Sequence, residues 1–132
     1  MKYNLKHYAY IGDAVWEIFI RKLVINKTER QDIMHKLSTK YVCATKQAEI
    51  MELIADYLKE DEIDIQKRGR NLKITINKRN NPAIHALATS FEVLIGYLYL
   101  NNPERLDEIL KIIQNALEEL KWVIIKIWKN QI

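Results

Sequence analysis

Two acidic residues, Asp13 and Glu92, stand in apolar segments that also contain glycine. Gly12 directly precedes Asp13, and Gly96 follows Glu92 by four residues. Glycine inside a helix costs about 1 kcal/mol relative to alanine, so it usually has a packing reason, such as the close crossing of two backbones. If these segments cross each other, the two carboxylates meet. They would repel each other and resist desolvation unless a hard divalent cation such as Mg²⁺ lay between them.

The composition is typical of a folded helical protein. The chain has 132 residues, of which 48% are hydrophobic and 29% charged, and it contains only 3 glycines and 2 prolines. This length is sufficient for one domain with its own core, and the hydrophobic content argues against disorder. The scarcity of glycine and proline favours long helices over a turn-rich β fold. We therefore expect a single all-α domain over residues 1–132.

Basic residues are concentrated in one part of the chain. The net charge is only +4, but residues 66–80 contain no acid and six bases, namely Lys67, Arg68, Arg70, Lys73, Lys78 and Arg79. This asymmetry indicates an anionic partner that binds at one place. The alternative is a solvated basic loop that serves solubility.

Targeting signals and cysteine usage indicate the compartment. The N-terminal residues lack the apolar core of a secretory signal, and no apolar run approaches the roughly 20 residues of a membrane span. The single cysteine, Cys43, excludes an intrachain disulfide and fits a reducing environment. We expect Cys43 to be a small buried hydrophobic residue, and the protein to be cytoplasmic with no membrane partner.

Hydrophobic periodicity and capping signals predict about six helices. The first spans Leu5 to Val24, where apolar residues recur with the helical period. Thr28 can cap a short second helix, and Ser38 or Thr39 can cap a third that ends near residue 58.

The later helices have clearer boundaries. The fourth begins near Glu60 and ends at Gly69. Asn-Pro pairs at 81–82 and 102–103 each supply a cap followed by proline at the first helical position, so they open a fifth and a sixth helix. The fifth reaches about Leu100, and the sixth continues past Trp122. Residues 72–80 are predicted to form an extended loop rather than a short hairpin.

Other titratable residues have more ordinary interpretations. Glu17 lies four residues after Asp13 and shares its helix face, but a solvated surface or an ion pair with Arg21 explains it equally simply. For His35 and His85, a structural or surface role is favoured over metal ligation, because no Cys/His spacing typical of zinc occurs.

The two glycine-containing segments resemble one family. Residues 10–15, YIGDAV, are similar to the first signature helix of ribonuclease III domains, and residues 91–100, FEVLIGYLYL, are similar to the second. Three further stretches resemble the Mini-III ribonucleases, a short bacterial branch of that family: VWE at 15–17, HKLS at 35–38 and KRGRN at 67–71. The resemblance spans residues 5–120, with the motifs in family order.

This resemblance implies an enzyme. The family's domains are all-helical homodimers that hydrolyse double-stranded RNA with Mg²⁺, and Mn²⁺ is an alternative metal. Asp13 and Glu92 match the positions that bind the metal and catalyse the cleavage, which leaves a 5′-phosphate and a 3′-hydroxyl. Maturation of ribosomal RNA precursors is the role that the resemblance implies.

Two positions depart from the family pattern. Full-length ribonuclease III carries acids at the positions of Ala9 and Thr89, so its four-carboxylate site is reduced here to two, as in Mini-III enzymes. The alternative function is a non-catalytic double-stranded-RNA-binding or ribosome-associated protein on the same fold. A third interpretation is a helical interaction module in which Asp13 and Glu92 pair with buried bases.

The resemblance also assigns residues to RNA binding and dimerisation. We expect no double-stranded-RNA-binding domain in this length, so the catalytic domain would itself contact the phosphates. The candidates are Arg68, Arg70, Asn71, Lys73, Lys78 and Arg79, with Lys36, Ser38 and Lys46 as weaker ones that fit an ordinary surface. Trp16, Phe19 and Ile20 widen the apolar stripe of the first helix, which predicts a contact between subunits or, alternatively, a core within one subunit.

Overall fold

All the secondary structure in the described part of the chain is helical, as predicted. The computed structural model describes residues 2–72 and 81–130, with side chains as far as residue 118. The helices are α1 (Leu5–Val24), α2 (Gln31–Val42), α3 (Ala44–Ile54), α4 (Glu60–Arg70), α5 (Pro82–Asn101) and α6 (Pro103–Asn130), and a short 3-10 helix, Ala55–Tyr57, follows α3. Most of the predicted 72–80 loop lies outside the described residues.

Helix α5 is the centre of the domain. It packs against α1, α3, α4 and α6, and its side chains Phe91, Val93, Leu94 and Ile95 are fully buried. Among the described helices, α5 alone is long and apolar enough to cross a membrane by length and composition, which the sequence analysis did not expect. Its position between other helices accounts for an apolar surface on every side.

The Asn-Pro signals locate the starts of α5 and α6 correctly. Pro82 is the first residue of α5, and Oδ1 of Asn81 accepts a hydrogen bond from the Ala83 backbone N–H at 3.0 Å. At the start of α6, Oδ1 of Asn102 accepts one from the Arg105 N–H at 3.2 Å. These bonds satisfy backbone donors that a helix N-terminus leaves free.

The boundary between α2 and α3 differs from the prediction. Ser38 and Thr39 lie inside α2, and the Thr39 hydroxyl donates to the His35 carbonyl at 2.8 Å instead of capping a helix. Helix α2 ends at Val42. Cys43, whose ψ of 156° is extended, separates it from α3, which begins at Ala44. Since no glycine or proline marks this break, residue types alone did not reveal it.

Two further sequence predictions need correction. Thr28 does not cap α2, because its hydroxyl accepts from the Arg30 N–H at 3.1 Å and the helix starts after Arg30. Cys43 is exposed, not buried, because the junction between α2 and α3 lies at the surface. Its thiol donates to the Lys40 carbonyl at 3.4 Å.

Helices α1 and α5 cross in direct backbone contact. A Cβ atom on Gly12 would overlap the carbonyl oxygen of Glu92, and one on Gly96 would overlap the carbonyl oxygen of Tyr8. No side chain fits at either position, which confirms that close crossing is the reason for both glycines. The crossing places Asp13, next to Gly12, beside the backbone of Glu92.

A buried ion pair fixes the start of α6 to α4. The Arg105 guanidinium donates to both carboxylate oxygens of Glu62, at 2.9 and 3.0 Å, and to the Tyr57 carbonyl at 2.7 Å. Arg105 is 8% exposed and Glu62 is 1% exposed. The same guanidinium also contacts the exposed Glu108 carboxylate at 2.9 Å.

Loss of this arginine should destabilise the domain strongly. Arg105→Leu leaves the Glu62 carboxylate buried without its cation, so we expect the free energy of unfolding to fall by about 3–5 kcal/mol. The matched control, Glu108→Ala, removes the exposed partner of the same arginine and should cost less than about 1 kcal/mol. Urea denaturation followed by circular dichroism measures both, and equal losses in the two variants would contradict this account.

Candidate active site

The structure brings Asp13 and Glu92 together where α1 and α5 cross. Asp13 is exposed and Glu92 is partly buried on the central helix. The two carboxylates are close enough for the charge of Asp13 to raise the pKa of Glu92. The sequence-based expectation that these side chains meet therefore agrees with the geometry.

Burial and charge repulsion both disfavour ionisation of the pair. Burial, and then the charge of Asp13, raise the pKa of Glu92 to about 7 from its usual 4.5, and a hydrogen bond with the Gln47 side chain partly opposes them. Burial also raises the pKa of Asp13, and the charge of Glu17 adds to this. Two neighbouring carboxylates with raised pKa values are an arrangement that occurs frequently at functional sites.

Nothing among the described side chains neutralises this pair. Neither Asp13 nor Glu92 belongs to any of the salt bridges that the described residues form with Lys, Arg or His. The interpretation in which buried bases pair with Asp13 and Glu92 is therefore not supported by this part of the chain.

The donor set fits a hard divalent cation. Two carboxylates offer the oxygen ligands that Mg²⁺ and Mn²⁺ prefer, and Mg²⁺ commonly keeps several waters beside one or two protein carboxylates. Within the described residues, no group of three or more His, Cys, Asp or Glu side chains could hold a metal ion. His35 is exposed on α2 and His85 is half-buried on α5, and neither belongs to such a group among the described residues.

Glu17 forms the ion pair with Arg21 that their spacing of four residues allowed. Its carboxylate accepts from the Arg21 guanidinium at 2.8 Å, one helical turn away and largely exposed. At the two positions where the family pattern has further acids, Ala9 is part of the hydrophobic core and Thr89 is half-buried. At the crossing, the described carboxylates are therefore Asp13 and Glu92, with Glu17 acting on Asp13 through its charge.

Gln47 is a site residue that the sequence reasoning missed. It lies on α3, is only 2% exposed, and its side chain lowers the pKa of the Glu92 carboxyl. Its signal was a polar residue at a buried position of an otherwise apolar helix face, beside Ala48 and Met51. The effect of Gln47 is to stabilise the charged form of Glu92.

Part of the predicted RNA-binding set lies beside the carboxylate helix. Arg68, Arg70 and Asn71 are exposed at the C-terminal end of α4. This end packs closely on α5, since a Cβ on Gly69 would lie only 2.9 Å from the Cβ of Val93. Val93 is the residue after Glu92. The other three candidates, Lys73, Lys78 and Arg79, lie outside the described residues.

The weaker RNA-binding candidates lie on α2 and α3. Lys36 is exposed and Ser38 is half-buried on α2. The Lys46 ammonium group pairs with the Glu49 carboxylate at 3.0 Å and lies 6.0 Å from the centre of the Tyr41 ring. These contacts favour a structural role for Lys46.

The predicted subunit contact of α1 is wrong for Trp16 and Ile20. Both side chains are fully buried within the chain itself. Trp16 donates from Nε1 to the Tyr41 carbonyl at 3.0 Å, and its ring meets the Phe91 ring edge to face with centroids 4.9 Å apart. Phe19 is half-buried against Trp16. The alternative, a core within one subunit, is therefore correct, because two-sided burial against α2 and α5 produces the same wide stripe as a dimer contact.

Comparisons with known proteins identify the family of this helical domain. The profile of the ribonuclease III domain matches residues 6–103. The Mini-ribonuclease 3 of Clostridium tetani is 45% identical over 115 residues, covering 84% of this chain and 76% of the relative. That of Thermosynechococcus vestitus is 42% identical, covering 80% and 70%. A crystal structure of a protein from Fusobacterium nucleatum has a TM-score of 0.77 at 29% identity, covering 87% of this chain and 94% of that one.

The chain belongs to the ribonuclease III family. It is a ribonuclease that resembles the Mini-ribonuclease 3 members, which confirms the resemblance of its signature segments. The family acts on double-stranded RNA and generally depends on a divalent metal ion.

The raised pKa values predict how the stability of the metal-free protein depends on pH. A carboxyl whose pKa is higher in the folded state than in the unfolded state binds more protons when folded, so stability falls as the pH rises between the two values. For Glu92 this range runs from 4.5 to about 7, and the shift corresponds to roughly 3 kcal/mol.

We expect the free energy of unfolding in EDTA to be higher at pH 5 than at pH 8. Glu92→Gln should remove most of this decrease and make the protein more stable than the wild type at pH 8. Asp107→Asn, at an exposed carboxylate of α6, is the control and should keep the wild-type profile. Urea denaturation at both pH values measures the free energy of unfolding. If it fell between pH 5 and pH 8 as much in Glu92→Gln as in the wild type, the assignment of the decrease to Glu92 would be refuted.

Proposed function

We propose that the protein is a Mg²⁺-dependent endoribonuclease that cleaves double-stranded RNA, with Asp13 and Glu92 as its catalytic and metal-binding residues. The observation that carries this proposal is the carboxylate pair at the α1–α5 crossing, whose described surroundings contain no basic partner, in a member of the ribonuclease III family. Mn²⁺ is the alternative metal.

The two carboxylates have different duties in the proposed site. When bound, the cation supplies Lewis acidity that activates water and stabilises charge on the phosphoryl oxygens. Exposed Asp13 presents its oxygens towards solvent, where a phosphodiester would arrive. Glu92 is partly buried on the central helix, which restricts the conformations of its side chain while the substrate binds. This preorganisation reduces the rearrangement that the reaction requires.

The end of α4 is the proposed RNA contact. Arg68, Arg70 and Asn71 are exposed there, on a helix that packs against α5 next to Glu92. Proteins recognise duplex RNA through its shape, phosphates and 2′-hydroxyls, and phosphate contacts make the affinity salt-dependent. The sequence continues with three further bases that are also candidates for this contact, Lys73, Lys78 and Arg79.

We also propose a homodimer that forms through the exposed face of α1. Tyr10 is 79% exposed and Ile18 is 60% exposed. They lie eight residues apart with exposed Ala14 between them, and they form a stripe beside the exposed Glu17–Arg21 ion pair of the same helix. Asp13 is next to this stripe. A symmetric pairing there would hold two carboxylate sites together, one for each RNA strand.

The biological setting is part of the proposal. Precursor ribosomal RNA is the proposed substrate and the cytoplasm the proposed compartment, with no membrane partner. These assignments rest on the resemblance to the Mini-III branch, and the carboxylate chemistry would be the same for any accessible RNA duplex.

Cleavage of a labelled RNA duplex tests the activity. With Mg²⁺ we expect cutting of the duplex but not of the matched single strand, and no cutting in EDTA. Asp13→Asn and Glu92→Gln should each lower the rate by about 10²-fold or more. Each removes a carboxylate ligand of the metal ion, which would stabilise the charge that develops in the transition state by several kcal/mol. Asp107→Asn is the control and should cut like the wild type.

The outcomes separate the enzyme from its alternative. Binding of the duplex without cutting, across Mg²⁺ and Mn²⁺, would favour the non-catalytic RNA-binding function. Cutting that survives in both Asp13→Asn and Glu92→Gln would refute the assigned site while leaving the activity intact.

Oligomeric state tests the α1 stripe. Ile18→Lys places a charge within the proposed contact, so we expect a dimeric wild type and a monomeric variant in size-exclusion chromatography with light scattering. Ile25→Lys is matched, because Ile25 is also 60% exposed but lies just beyond the end of α1. A monomeric wild type, or equal effects of the two variants, would rule out this interface.

A further inference from the structure

A chain of polar side chains connects the basic end of α4 with the helix that carries Glu92. Nη2 of Arg70 donates to Oε1 of Gln66 at 3.3 Å, and Nε2 of Gln66 donates to Oγ of Ser90 at 3.1 Å. The Ser90 hydroxyl donates to the Leu87 carbonyl at 2.6 Å. Gln66 is 6% exposed and Ser90 is fully buried, whereas Arg70 is exposed.

Packing alone does not require a polar pair at this position. The surrounding α4–α5 contact is formed by apolar side chains such as Ile65 and Val93, and apolar residues of similar size would fill the same space. Buried polar groups are costly unless they are hydrogen-bonded, and these two are. The polar pair fixes the orientation of the Gln66 amide group. Because Ser90 accepts from the amide nitrogen of Gln66, the amide oxygen of Gln66 faces Arg70.

The polar chain also fixes Arg70 relative to the carboxylate site. Ser90 precedes Glu92 by two residues on α5. Helix α4 lies so close to it that a Cβ added to Gly69 would be 3.2 Å from the Ser90 Cα. The Arg70 guanidinium is therefore linked through two side chains to the same rigid helix that carries Glu92. Arginine side chains that are free to rotate lose more conformational entropy when they bind.

We propose that Gln66 is a positioning residue which, anchored by Ser90, holds the Arg70 guanidinium ready to bind a phosphate of the RNA duplex. This inference rests on the proposed function, since it assumes that Arg70 contacts RNA. Restraining one arginine beforehand should be worth roughly 2–10-fold in affinity.

A double-mutant cycle on duplex binding, in EDTA so that no RNA is cut, tests the inference. Gln66→Leu should weaken the affinity by about 2–10-fold. Arg70→Ala should weaken it further and reduce the salt dependence by about one phosphate contact. In the Arg70→Ala background, Gln66→Leu should have no additional effect. In the Arg68→Ala background, which leaves the Gln66–Arg70 bond in place, Gln66→Leu should still weaken binding by its full factor.

Folding can be checked independently of binding. Gln66→Leu leaves the Ser90 hydroxyl its bond to the Leu87 carbonyl, and Gln66→Leu with Ser90→Ala removes both polar partners, which is often nearly neutral for stability. Both variants should keep the helical circular dichroism spectrum and show the same loss of affinity.

Three results would overturn the inference. They are an unchanged affinity in Gln66→Leu, an equal loss whether or not Arg70 is present, and an Arg70→Ala variant that binds like the wild type. A wild-type protein that binds no duplex would instead refute the proposed function itself, and that outcome is distinguishable from the first three.

Discussion

The backbone contact between α1 and α5 is the constraint on which the rest of the structure depends. Gly12 and Gly96 each cost roughly 1 kcal/mol of helix propensity, yet any side chain there would overlap a carbonyl of the opposing helix. The crossing gives α5 its central position and permits α3 and α4 to pack on its other sides. It also determines the site, because it leaves two carboxylates adjacent.

The electrostatics of the site follow from this geometry. Glu92 is partly buried because it is on the core helix, and Asp13 stands next to it because Gly12 admits the Glu92 backbone. The folded chain therefore maintains a repulsion that a divalent cation would relieve, and Gln47 on α3 partly offsets it by lowering the pKa of Glu92. On the α4 side, Gln66 and Ser90 connect the same helix to Arg70. The Gln66–Ser90 contact reaches α5 two residues before Glu92, and Gln47 acts on Glu92 itself.

Sequence reasoning succeeded where a residue type has one physical meaning. Glycine inside an apolar helix located the crossing, and Asn-Pro located the starts of α5 and α6. It failed where one pattern has two causes. Trp16 widened the stripe of α1, which fits a core or a dimer contact equally, and the break at Cys43 depends on how α2 and α3 pack rather than on a helix-breaking residue. Gln47 was missed because its partner lies on another helix.

The most direct test of this account is the anomalous scattering of Mn²⁺ in crystals of the protein grown with that ion. The account predicts a peak between the carboxylates of Asp13 and Glu92, with water completing the coordination. Ordered crystals with no peak there, or with the Glu92 carboxylate paired to a lysine or arginine instead, would contradict the central claim that the helix crossing builds a metal site.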